Sequence, residues 1–212
     1  MPADARFDPD EARRTMGFLT VREVRERIAC RNTVLDPGSL LVGGDVRIGQ
    51  GNIFHAAVEI SATAPGSLII GDGNELVPGC LLRARHGGRI EIGHGNRLGE
   101  GGLVLDADQA DAAITIGDHG RYRYGAVIRA SAALGSGSQV LGPVIVERCT
   151  LGDGGSFAEP DPDRRGGVLK GAGPARHLTV PRGHVIAAWG PFEQTAMQNQ
   201  SFFHPGPAAT NA

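Results

Sequence analysis

Aliphatic and aromatic residues recur along this chain at an interval that neither of the common secondary-structure periods explains. They stand at Ile48, Phe54 and Ile60, at Ile70, Leu76 and Leu82, at Ile92 and Leu98, and at Ile116, Tyr122, Ile128, Leu134 and Val140. An amphipathic helix needs spacings of three and four, and a half-buried strand alternates every two. A spacing of six suits a three-sided coil in which each side is a short strand and each corner a turn. One inward side chain per side then stacks on its equivalent in the next coil. The pattern predicts an all-β fold, a single-stranded left-handed parallel β-helix of hexapeptide repeats with 18-residue coils.

A second signal runs in register with the first. An aliphatic residue followed by Gly, a variable residue and a small or polar pair occurs six times, led by Ile48, Ile70, Ile92, Ile116, Leu134 and Leu151. These leaders are 22, 22, 24, 18 and 17 positions apart, which is one period carrying insertions of four, four and six residues and one deletion. They are expected to form one inward stack. Gly49, Gly71, Gly93, Gly117, Gly135 and Gly152 come directly after them and are expected at corners, where they and the Gly-Asn pairs beyond them supply positive φ. The insertions are expected to bulge from corners as separate loops, an acidic one over Asp106–Asp111 and one of mixed charge over Glu159–Arg165.

The pattern divides the chain into an N-terminal extension over 1–30, the β-helix over 31–190 and a C-terminal helix or tail over 191–212. Thr20-Val21-Arg22-Glu23 has the form of a capping box, and Val21, Val24 and Ile28 fall on one helical face, which predicts a short amphipathic helix over Val21–Ala29. A further helical turn is expected from Asp8-Pro9-Asp10-Glu11. Trp189 at the end of the β-helix and Phe192, Phe202 and Phe203 in the tail are the candidate interface residues. Trp189 is expected to pack at the C-terminal junction, with an interface anchor as the alternative. The tail is expected to fold back along the coils as a helix, and 205–212 to be disordered.

Composition agrees with many tight turns around a narrow core: 33 Gly and 13 Pro stand beside only 5% aromatic residues. A net charge of −2 gives no electrostatic reason to expect nucleic acid as a partner. The apolar runs are too short for a spanning helix, so no membrane insertion is expected, and the first residues lack the apolar core of a signal peptide. Cys30, Cys80 and Cys149 are widely spaced without a CxxC, which predicts buried thiols in a reducing compartment, the cytoplasm.

Gly44-Asp45-Val46-Arg47-Ile48-Gly49, Ile53-Phe54-His55 and Ile69-Ile70-Gly71-Asp72-Gly73-Asn74, with Val180-Pro181 and Val185-Ile186 near the end, resemble the dynactin subunit 6 group of the left-handed β-helix superfamily. The resemblance covers roughly Arg31 to Gly190 and includes the insertion after Leu105. It implies a non-enzymatic subunit of a cytoskeletal assembly with no cofactor. Such a subunit works beside another β-helix subunit of the dynactin subunit 5 kind and actin-related pointed-end proteins, in dynein-dynactin transport and cargo engagement.

Two enzymatic readings compete with it. A γ-carbonic-anhydrase-like site would need three His converging on one metal, and no two of His55, His86, His94 and His119 have the required spacing of five. These histidines are expected at solvated corners. A homotrimeric hexapeptide acyltransferase would use one His as general base. His86 in Arg83-Ala84-Arg85-His86 is the best candidate, its basic neighbours being suited to a phosphate of coenzyme A. Asp45 is expected to bond corner backbone rather than to act as an acid.

Overall fold

A computed structural model describes residues 8–204, and the chain is a left-handed parallel β-helix. Its three walls arise from the period of six. One wall stacks Ile48, Ile70, Ile92, Ile116, Leu134, Leu151 and Val180 in direct register. The second stacks Val34, Phe54, Leu76, Leu98, Tyr122, Val140, Leu169 and Ile186. The third stacks Val42, Ile60, Leu82, Leu105, Ile128, Val146 and Ala175. Nearly all of these side chains are sealed from solvent; at the first coils Val34 and Ile48 are only partly buried, because no complete coil precedes them. Each buried Ile or Leu contributes roughly 1.5–3 kcal/mol, and only the neighbouring coil can hide it.

The corner glycines have a different cause from the one expected. Gly49, Gly71, Gly93, Gly117, Gly135 and Gly152 do not adopt positive φ. What excludes a side chain is the next coil. A Cβ on Gly71 would meet the Gly93 carbonyl oxygen at 2.5 Å, and one on Gly135 the Asp153 amide nitrogen at 2.6 Å. Positive φ falls two residues later, at Gly51 (68°), Gly73 (65°), Gly95 (63°) and Gly137 (69°), and His119 takes that position with φ 56°.

The Asn of the Gly-Asn pairs likewise serves packing. Asn52, Asn74 and Asn96 point inward, are fully buried, and form a ladder with Asn32. Each side-chain oxygen accepts the backbone N–H and the amide of the next Asn, as in Asn96 N to Asn74 Oδ1 at 2.9 Å. Each Nδ2 also donates to the carbonyl of a corner glycine in the next coil, as in Asn74 to Gly93 at 2.9 Å. The ladder ends where Gly120 replaces Asn, because Tyr122 fills that space and its hydroxyl shares a hydrogen bond of 2.8 Å with Ser138 Oγ. Burial pushes the Tyr122 phenol well above its usual range.

Both ends of the stack are covered. A helix over Pro9–Thr15, capped by Asp8, leads to the Thr20–Glu23 capping box and a helical stretch, α over Val21–Glu23 and π over Val24–Ile28. Val24 and Ile28 are buried by the first coils. Arg13 is buried too, and its guanidinium donates to the carbonyls of Leu19, Leu40 and Gly38, which pins the extension to the first turn. At the other end the described residues of the tail form 3-10 turns at Gln194–Ala196 and Gln200–Phe203 in place of the expected helix. The segment that folds back is a strand, Met197–Asn199, antiparallel to His184–Trp189, which covers the edge of the second wall at His184–Ile186. The expectation for 205–212 lies outside the described residues. Among the described residues no helix is long and apolar enough to cross a membrane.

Candidate interaction surfaces

Strand alternation sends the residue beside each inward side chain to the outer face. On the third wall this produces two columns. One is apolar: Leu81, Val104, Val127, Ile145 and Pro174 lie in register, all partly open to solvent. The other alternates in charge: Arg83, Asp106, Arg129, Glu147 and Arg176. Arg83 bonds Glu59 at 2.9 Å, Asp106 receives Arg85, and Glu147 is shared between Arg129 and Arg176. The bonds from Arg176 and Arg129 hold the Glu147 carboxyl below its ordinary pKa. Each charge of the column thus has an opposite partner, with Arg129 and Arg176 sharing one carboxylate.

The apolar column runs toward Trp189. That residue pairs with Ala172, two positions before Pro174, and is 88% exposed, so it is not packed at the junction as expected. Phe202 (68%) and Phe203 (45%) are exposed at the same end of the solenoid. Phe192, a candidate interface residue in the sequence, is instead 6% exposed and joins the core.

The histidines serve separate local purposes. His55 bonds Glu75 across coils at 3.2 Å. His94 Nδ1 accepts the Asp72 N–H at 2.9 Å, one rung of a corner ladder in which Asp72, Asp118 and Asp153 accept the amides of Gln50, His94 and Ser136. Those three aspartates, and not Asp45, make the side-chain bonds to corner backbone; the Asp45 carbonyl receives the Gly66 N–H. Among the described residues no group of His, Cys, Asp and Glu gathers around a potential metal position. His86 lies 2.6 Å from Asp108, but its basic neighbours are occupied, Arg83 by Glu59 and Arg85 by Asp106 and Asp108. The acidic insertion is partly strand: Leu103–Ala107 includes Asp106, and the bulge at the corner begins only after Ala107.

Of the three thiols, Cys80 and Cys149 are buried and Cys30 is exposed, against the expectation of three buried ones. Burial pushes the Cys80 thiol up to about 12, so it is a packing residue without thiolate reactivity at neutral pH.

The outer apolar column on the third wall was not among the features expected from the sequence. Its signal was present: each member sits one position before an inward residue, Leu81 before Leu82 and Val104 before Leu105, where a solvated wall would carry a polar side chain. No family model matches the chain, and no curated protein matches it.

Proposed function

We propose that this chain is a non-enzymatic structural subunit that binds a second β-helix through its third wall, in an assembly of the dynactin pointed-end kind. The reading rests on the apolar column Leu81, Val104, Val127 and Ile145, continued by Pro174 toward the exposed Trp189. Side chains repeating at the inter-strand spacing of about 4.8 Å are matched best by a partner with the same repeat, another solenoid wall. The flanking charges are mostly paired, Arg83 with Glu59, Asp106 with Arg85, and Arg129 and Arg176 with Glu147, so they set only a weak long-range barrier to such a partner. An exposed Trp at the edge of the patch is the residue type that dominates binding energy at protein interfaces. By the resemblance to the dynactin subunit 6 group, the remaining partners are actin-related pointed-end proteins, the location is the cytoplasm and cytoskeleton, and no cofactor is involved.

A second reading, a homotrimeric acyltransferase, is favoured by one contact, the His86–Asp108 pair, which resembles a base held by a carboxylate. Co-purification of the tagged chain from its own cells separates the two. A single copy recovered with another β-helix subunit and an actin-related protein supports the scaffold. A homotrimer that consumes acetyl-coenzyme A, and loses that activity in His86→Ala, supports the enzyme and overturns the scaffold.

A further inference from the structure

A cleft of about 230 Å³ opens on the outer face of the second wall, near its C-terminal end. Its floor is apolar, made by Leu141, Val168, Val185 and Ala187, and three cations line it, Arg121, Arg165 and Lys170. Among the described residues no carboxylate lines it. This is unusual for the wall: Arg97 is bridged to Glu75 and Arg123 to Glu100. Arg121 is held instead by neutral groups, donating to Gln139 Oε1 at 3.0 and 2.6 Å and stacking 3.8 Å from the Phe157 ring centre. Arg165 Nε donates to the Glu159 carbonyl at 2.7 Å. Among the described residues no carboxylate lies within ion-pair distance of Arg121, Arg165 or Lys170.

The rim is built by two segments tied to each other. Asp163, in the loop after the Leu151 coil, accepts from Ser201 N at 2.9 Å and Ser201 Oγ at 2.8 Å. Buried Gln200 donates to the Gly166 carbonyl at 2.7 Å. Loop and tail therefore hold the cleft open in one shape, and Phe203 and His204 stand at its edge.

We propose that this cleft binds a small phosphate monoester carrying a compact apolar group. Three cations that meet no carboxylate among the described residues suit a dianion, and guanidinium forks match phosphate oxygens. The aliphatic floor accommodates the ester's carbon body, and a volume below the usual range of roughly 300–1,000 Å³ limits the ligand to a small molecule. Burial, with the repulsion of Arg165 and Arg97, depresses the Arg121 guanidinium, a cost that a bound anion relieves. The site lies on a different wall from the apolar column and is independent of the scaffold reading.

Calorimetric titration of the full chain with phenyl phosphate, inorganic phosphate and phenol tests it. Phenyl phosphate is expected to bind more tightly than either half-probe, and more weakly as salt is raised. Lys170→Gln, on the outer face, and Arg165→Gln, in the loop, are expected to weaken it about tenfold each, the loss of one charge-assisted contact. Absence of binding at millimolar phenyl phosphate overturns the proposal, as does equal affinity for inorganic phosphate or unchanged affinity in both variants. The comparison of the three probes on the unaltered chain decides the matter even where a variant fails to fold.

Discussion

Replacing Asn74 by Leu tests whether the inward asparagines are a structural ladder. The two side chains have similar size, so the change removes polar bonds without opening a large cavity. It leaves two backbone groups unpaired: the buried Asn96 N–H, which donates to Asn74 Oδ1 at 2.9 Å, and the part-buried Gly93 carbonyl, which receives Asn74 Nδ2 at 2.9 Å. Each unsatisfied group costs about 1–3 kcal/mol, so the expected loss is about 2–6 kcal/mol, read from urea denaturation followed by circular dichroism. The Asn96 amide should also lose its protection from hydrogen exchange. Asn74→Asp supplies the control. Its carboxylate can accept from Asn96 but cannot donate to Gly93, and burial raises its folded pKa above the unfolded value of about 3.9. The penalty is therefore full at neutral pH and shrinks as pH falls and the acid regains a donor. A Leu variant within about 0.5 kcal/mol of the unaltered chain, the scale of an ordinary surface change, would refute the ladder's contribution.

The remaining expectations concern packing and charge. Gly71→Ala should cost about 1–3 kcal/mol by overpacking, since its Cβ meets the Gly93 carbonyl at 2.5 Å, whereas Gly51→Asn should cost little, since the nearest atom is 3.9 Å away and Asn tolerates its φ of 68°; equal melting shifts would contradict the division of labour between the two glycines. Ile92→Asp should unfold the middle of the solenoid by placing a carboxylate in a dry stack, and a thermal melt like that of the unaltered chain would exclude Ile92 from the core. Glu147 has a folded pKa held below its ordinary 4.5 by Arg176 and Arg129, so the stability it contributes is present above that pH and is lost as pH falls through the folded value. Glu147→Gln should flatten this acid limb of the stability curve, and an unchanged limb would place the acid sensitivity elsewhere.

The period of six was legible because one inward aliphatic per wall leaves a trace that no helix or two-sided sheet produces; the walls through Ile70, Leu76 and Leu82 derive from it. The cause of the corner glycines was not legible. Positive φ and close backbone approach both demand Gly, and only the register of the next coil shows that Gly71 belongs to the second case and Gly73 to the first. Asn74 misled in the same way: Asn favours turns in general, yet here the repeat carries it inside, where an identical neighbour one coil away satisfies it. The tail's strand depended on an edge that exists only after the coils stack, and Trp189 and Phe192, three residues apart, part company because one faces outward from the last coil and the other folds under it. The cationic cleft draws Arg121, Arg165 and Lys170 from different coils and a loop, so sequence proximity held no hint of it.

The partner proposed for the third wall can be trapped in place. A photo-activatable cross-linking residue placed at position 104, in the apolar column, and separately at position 115, on the polar outer face of the first wall, tests the proposal in the protein's own cells. Position 104 is expected to cross-link to a second β-helix subunit, identified by mass spectrometry, while position 115 yields no such product. A cross-link to that subunit from position 115 alone, or none from position 104, would contradict it.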